Sequence, residues 1–290
     1  MYLFFIVFLP GSIGKPEMTP RIKNIISSLD HIAPFRLAEP WDNCGLLVGN
    51  PDREITAVLV GLDPTGRLLD EAIRLGANTI VTHHPLIFHP LPAINTATPI
   101  GLFLEKALTN RINIIACHTN LDSARKGVND TLADALGLID VEPLKSSADS
   151  TLPGTGIGRI GNFNESQTPS RFMETIFGAL DVPSVQIAGR MPDKILRVGL
   201  CGGSGSEFAE PAFAGGADVY LSAEIKHSTA RWAQECDFCI IDGTHYATEQ
   251  PVVRHLVAQL QLAADAQNWD IRILQTLTEL PPFVIQNRCS

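Results

Sequence analysis

Histidine is scarce in this chain, basic clusters are missing, and no cysteine pairing pattern repeats. There are 8 histidines in 290 residues, and 22 Lys and Arg stand against 31 Asp and Glu, a formal net charge of -9. No Lys/Arg cluster forms a basic face, so charge gives no reason to expect a nucleic-acid partner, and any bound anion must be held locally. Six cysteines (Cys44, Cys117, Cys201, Cys236, Cys239 and Cys289) are scattered, which suits reduced thiols in the cytosol better than a disulfide framework. Cys236 and Cys239 make one C-x-x-C, without the second pair that a structural zinc site needs. The opening "MYLFFIVFLPGSIGKPEM" has no Lys or Arg before its apolar run and no small-residue cleavage site after it. Its nine apolar residues are too few to span a bilayer. Residues 1–17 are therefore expected to lie outside the fold, as an upstream translation or a disordered tail of a cytoplasmic protein without membrane contact. No internal repeat is visible.

From Thr19 onward, helical and strand-like patterns alternate. "TPRIKNIISSLDHI" carries Ile22, Ile25, Ile26 and Leu29 at helical spacing. "ITAVLVGL", "NTIVTHH" and "INIIACH" read as buried strands, separated by the helical stretches 66–77 and "IGLFLEKALTNR"; the helix "VNDTLADALGL" follows and closes at Gly137. This order predicts an α/β fold with a mainly parallel sheet covered on both faces. Residues 142–156, rich in Ser, Pro and Gly, are the best linker candidate. A second lobe of alternating strands and helices follows, then a long helix from "ATEQP" and a last strand "DIRILQTL".

Three of the histidines fall within "VTHHPLIFHP", where His83 and His84 are adjacent. Neighbouring strand side chains point to opposite faces, so the pair is a poor chelate while the strand continues. Pro85 pushes His84 toward extended geometry, and the chain leaves the sheet there. The C-terminal edge of a parallel sheet is where open α/β folds place ligands. Two imidazoles splayed from that point suit two neighbouring metal ions. "INIIACHTNLD" brings His118 and Asp122 to the same kind of edge. "GTHYATEQP" brings His245 and Glu249, four apart on one helical face. Imidazoles with carboxylates favour Zn, Mn, Fe, Co or Ni over Ca or Mg. The plainer alternative has His83 and His84 capping a strand, Asp122 capping a turn, and His245/Glu249 as a surface pair. "LCGGSGSEF" is open to two readings, an anion cradle of backbone N–H groups or a plain tight turn.

"THHPLIF", "HTNLD", "GTHYATEQP" and the early "EPWDNCGLLVG", in this order, resemble the family of GTP cyclohydrolase I type two homologues, the Nif-three-like proteins, from about Met18 to the C-terminus. The resemblance implies two α/β lobes around a dinuclear metal site, with the C-terminal segment returning to the first lobe. It implies lobe 1 from residues 18–145 plus 250–290, lobe 2 from 146–249, and a short form without an inserted domain. It implies two divalent ions per chain: His83 and His84 on one ion each, Asp122 and His245 as further ligands, and Glu249 bridging. His118, His227 and Asn43 are candidate neighbours that hydrogen-bond to a ligand or to substrate; Glu224 is another. A toroidal homohexamer is the implied assembly. Two divalent ions against Asp122 and Glu249 leave about +2 by formal count, which draws a small anionic substrate, including a nucleotide, and makes bound water more acidic. The expected activity is metal-dependent hydrolysis resembling GTP ring opening. The alternatives are a nucleotide phosphoesterase and a non-enzymatic metal-binding or regulatory protein.

Overall fold

A computed structural model describes residues 19–149 and 151–286. The expectation for residues 1–17 lies outside the described residues. The first sheet takes β1 (Gly45–Val48), β2 (Ala57–Gly61), β3 (Thr79–Thr82) and β4 (Asn113–Ala116). The second takes β5 (Ile139–Glu142), β8 (Arg159–Gln167), β9 (Gln186–Ala188), β10 (Ile195–Ser204), β11 (Val219–Ala223) and β12 (Cys239–Asp242), while β6 (Lys145–Ser146) and β7 (Gly156–Ile157) pair only with each other. The last strand, β13 (Arg272–Gln275), returns to the first sheet and completes the order β1-β4-β3-β2-β13. The second sheet has the order β5-β8-β10-β11-β12-β9.

The β2–β4 strands are buried throughout and mostly apolar because both faces are covered. Val58, Val60, Val81 and Ile115 pack on one side against Ile22, Ile25 and Leu29 of the helix Ile22–Ile32 and Leu256 and Leu260 of the helix Pro251–Ala266. Leu59, Ile80 and Ile114, one residue out of phase, pack on the other side against Leu68 and Leu69 of the helix Gly66–Leu75 and Phe103 of the helix Pro99–Thr109. Thr65 and Thr98 cap those last two helices through their side-chain oxygens, and Gly76 closes the first in a left-handed turn at φ +68°.

The two lobes share the helix Val128–Leu136: Val128 enters the first core, and Leu132 and Leu136 enter the second. Arg159 is buried beside it and ion-pairs with Asp130, and donates to the carbonyls of Ala124, Gly156 and Gly158. A buried guanidinium is tolerable because its donors are spent on these acceptors.

The first sheet is mainly parallel as expected, with only β1 antiparallel to its neighbour β4. The second is mixed, with β10, β11 and β12 parallel and β5, β8 and β9 paired antiparallel. The stretch read as a linker carries β6 and β7, and the second sheet begins at Ile139, earlier than residue 146. The long helix expected after β12 is two helices, His245–Glu249 and Pro251–Ala266, because Pro251 brings no N–H to a continuing ladder. Among the described residues no helix is long and apolar enough to cross a membrane.

Candidate metal centre

His83 and His84 leave the C-terminal end of β3 while their N–H groups still bond to the carbonyls of Gly61 and Leu62. Their rings do not diverge. The centroids are 4.8 Å apart and the planes are tilted by 49°. His83 Nε2 lies 3.6 Å from Glu249 Oε1, and His84 Nε2 lies 3.1 Å from Glu249 Oε2. Asp122, on the short helix Thr119–Ser123 after β4, places Oδ1 3.6 Å from His83 Nε2. His245, one turn before Glu249, places Nε2 3.1 Å from Glu249 Oε2 and 3.2 Å from His84 Nε2. Three groups can hold a metal ion: His83, Asp122 and Glu249; His84, His245 and Glu249; and His83, His84 and His118.

Each imidazole is anchored through Nδ1. His83 Nδ1 lies 2.8 Å from the Cys117 carbonyl, His84 Nδ1 2.8 Å from Asp63, His118 Nδ1 2.8 Å from Asp42, and His245 Nδ1 2.9 Å from Glu224. All four partners are carbonyl or carboxylate oxygens that accept, so the proton belongs on Nδ1, leaving an Nε2 lone pair aimed at the cluster. This is the arrangement that orients imidazole ligands on metals. Four such lone pairs facing Glu249 and Asp122 repel one another unless positive charge sits between them. The buried atoms His83 Nε2, Asp122 Oδ1 and Glu249 Oε2 have no hydrogen-bond partner. Orphaned buried polar atoms are costly, and a cation among these three would satisfy them together.

The electrostatics point the same way. Five carboxylates (Asp42, Asp63, Asp122, Glu224 and Glu249) surround four imidazoles. Burial works against a charged His84, yet its hydrogen bond to Asp63 and the nearby Glu249 carboxylate lift its pKa to about 10. Burial opposes charge on His245 too, and Glu249 and Glu224 lift it to about 9. Burial would raise Glu249, but His83 and the neighbouring rings of His245 and His84 hold it well below the usual carboxylate range. Asp122, with burial dominant, is raised. The residues fit a cationic group.

Local backbone strain supports the geometry. Thr244, which precedes the helix of His245, has φ +69°, and Glu224, the partner of His245, has φ +52°. A β-branched residue in that region is an outlier, costing about 1–3 kcal/mol, and such sites cluster where geometry is functional. Gly203 in β10 has φ +67°, and a Cβ there would lie 2.0 Å from Glu249 Oε1. The glycines of "LCGGSGSEF" therefore give Glu249 room. They are no anion cradle, because the N–H groups of Gly202 and Gly203 already donate to Asn129 and the Thr248 hydroxyl.

His118 joins the cluster, with its ring 5.2 Å from that of His83 and 5.6 Å from that of His84. Asn43 does not: its side chain donates to the Ile87 carbonyl and ties two loops together. His227 is exposed at the start of the helix His227–Glu235 and lines a different depression with Asp242 and Arg231. Asp42 and Asp63 escaped the sequence reading as site residues. Asp63 stands two residues past β2, at the same sheet edge as the histidines, so the edge argument could have found it. Asp42 stands in "EPWDNCGLLVG", and burial alone would raise it, but bonds from His118, Thr119 and Cys44 hold its carboxyl far below the usual range.

Two α/β lobes with a histidine–carboxylate cluster at the sheet edges, able to hold a metal ion, define the class of fold and site. The Duf34/NIF3 (NGG1p interacting factor 3) family matches residues 20–281, and the chain belongs to that family. It is 32% identical over 267 residues to a Streptomyces coelicolor protein named GTP cyclohydrolase 1 type 2 homolog, covering 91% of this chain and 94% of the relative. A Clostridium perfringens relative with the same name is 31% identical, with 91% and 98% covered. The crystal structure of a Bacillus cereus protein related to NIF3 superimposes with a TM-score of 0.87 at 27% identity, covering 93% of this chain and 100% of that one.

Proposed function

We propose that this chain is a dinuclear-metal hydrolase. His83, Asp122 and Glu249 would hold one divalent ion, and His84, His245 and Glu249 would hold the other, with Glu249 common to both groups. The observation that carries this reading is the set of Nδ1-anchored rings whose Nε2 atoms converge on both oxygens of Glu249. The donor set suits Zn, Mn, Fe, Co or Ni. Such ions, when bound, acidify water and polarise a substrate oxygen.

The chain's own residues do the rest. Asp63 and Glu224 fix the tautomers of His84 and His245. Asp42 fixes His118 with Nε2 toward the cluster, where this ring accepts and returns a proton. A cavity of about 360 Å³ opens on His118, Asp122, His245 and Glu249, and is the place for substrate. The names of the relatives favour GTP ring opening over phosphate-ester cleavage. Exposed apolar side chains along the C-terminal segment, Leu277, Leu280, Phe283 and Val284, favour assembly with further copies of the chain.

Metal-reconstituted protein incubated with GTP tests the activity. Opening of the purine ring, followed by its loss of ultraviolet absorbance, is the expected result. Phosphate release instead would make the chain a phosphoesterase, and neither product in metal-loaded protein would leave a metal-binding or regulatory role.

A further inference from the structure

The cavity beside the metal centre has an unusual wall. Trp41 lines it together with Lys145, Phe208, Glu39 and Glu207. This indole is 59% exposed, although a tryptophan is normally highly buried. It is not a loose side chain on a loose loop. Its ring meets Phe88 edge-on at 5.8 Å and His118 edge-on at 6.4 Å, and Phe88 meets His118 at 6.0 Å. The loop beneath it is tied on both sides. The Glu39 N–H donates to the Thr119 hydroxyl, the Asp42 carboxylate accepts from the Thr119 N–H and from His118, and Asn43 donates to the Ile87 carbonyl. A rigid aromatic face is thus held open to solvent next to His118.

We propose that Trp41, braced by Phe88, is the stacking face for a planar heteroaromatic ring in the substrate, and so determines specificity for a nucleobase-like compound over a plain sugar phosphate. The reading rests on the proposed hydrolytic centre, which supplies the reason for a ring to sit there. Edge-on packing of Phe88 and His118 against Trp41 leaves an indole face to stack on, and every nucleobase has a π-face to offer it. The carboxylates of Glu39 and Glu207 in the same wall are acceptors suited to the N–H edge of such a ring. They do not favour an anion, so the ring and the anionic part of the substrate separate naturally: the ring on the Trp41 side with the carboxylates, the anion toward Lys145 and the metal ligands.

Calorimetric titration of the metal-loaded full chain with guanosine 5′-monophosphate and, separately, ribose 5-phosphate tests this. Stacking on an aromatic side chain contributes about 1–3 kcal/mol per base, so the nucleotide should bind roughly 5–150-fold more tightly than the ring-less compound. Trp41→Ala should remove most of that difference while leaving ribose 5-phosphate affinity and metal content unchanged, and Trp41→Phe should keep most of it. Phe88→Ala should reduce it partly, which keeps the idea testable if Trp41→Ala folds poorly. Equal affinity of the two probes for the wild type, no measurable binding of the nucleotide, or full discrimination in Trp41→Ala would overturn the proposal. Metal analysis and GTP turnover on the same samples separate the two readings: discrimination without turnover sinks the hydrolase and keeps the stacking face, and turnover without discrimination does the reverse.

Discussion

Glu249 can lie between the histidines because residue 203 has no side chain: a Cβ on Gly203 would stand 2.0 Å from Glu249 Oε1 and 3.2 Å from His245 Nε2. The relationship ties β10 of the second lobe to the one carboxylate that faces both halves of the cluster. Gly203→Ala should therefore displace Glu249 and add strain at φ +67°. We expect metal affinity to fall at least tenfold, with a lower melting temperature. Unchanged metal content by elemental analysis after dialysis would show that Glu249 does not bridge.

The two adjacent histidines should have separable roles. His83→Ala and His84→Ala should each retain about one ion per chain where the wild type holds two, because each ring faces a different oxygen of Glu249. Glu249→Gln should lose both. Removal of a ligand should weaken its ion more than the roughly 10–100-fold seen when only the partner of a ligand is changed. Metal-to-protein ratios of zero in either histidine variant would contradict a shared bridge.

Much of this centre was legible in the sequence, and the reason is geometric. His83, His84, Asp122, His245 and Glu249 all follow apolar strand runs, and a parallel strand's C-terminal edge is a position that a sequence pattern can locate. What adjacency alone could not convey is the convergence of His83 and His84. Strand alternation predicts divergence, and it is the onward chain after Thr82, with its hydroxyl bonded to the His84 carbonyl, that turns both rings to one side. Asp42, which holds His118, and Glu279, which accepts from the Asp63 N–H, were invisible as partners because they reach across 76 and 216 residues of sequence, and no local period encodes such contacts. The antiparallel edges were not legible for a related reason: β1 and β9 are short edge strands whose pairing depends on where the chain returns, not on their own residues.

His118 should prove to be a proton carrier. His118→Gln should lower turnover by about 10²–10⁴-fold with both ions retained, the usual range for loss of a general acid or base. Asp42→Asn should shift the pH dependence of turnover, because it removes the carboxylate that fixes the His118 tautomer. If His118→Gln instead sheds an ion, the ring is a ligand, as its grouping with His83 and His84 allows.

Two glutamates that tie the C-terminal segment to the first sheet, buried Glu71 of the helix Gly66–Leu75 and half-buried Glu279, should respond to pH with opposite signs. Glu71 accepts from the Thr276 and Thr278 hydroxyls at 2.5 and 2.9 Å and from the Leu277 N–H. Burial acts to raise its pKa, but these bonds and Arg74 hold it below 4.5. A depressed carboxyl stabilises the fold above its unfolded pKa and loses that contribution as pH falls through its folded value. Glu279 accepts from the Leu62 and Asp63 N–H groups at 2.6 and 2.8 Å, and burial raises its pKa above 4.5. Its folded form binds a proton more readily than its unfolded form, so its ionisation costs stability as pH rises through that window. Glu71→Gln should therefore lower the melting temperature at pH 7, with the gap to wild type closing as pH drops below about 4.5. Glu279→Gln keeps an oxygen acceptor for both amides and removes a buried charge, so it should be neutral or stabilising at pH 7. Thermal melts of both variants from pH 3 to 8 check this, and a Glu279→Gln protein less stable than Glu71→Gln at pH 7 would reverse the assignment of the two carboxylates.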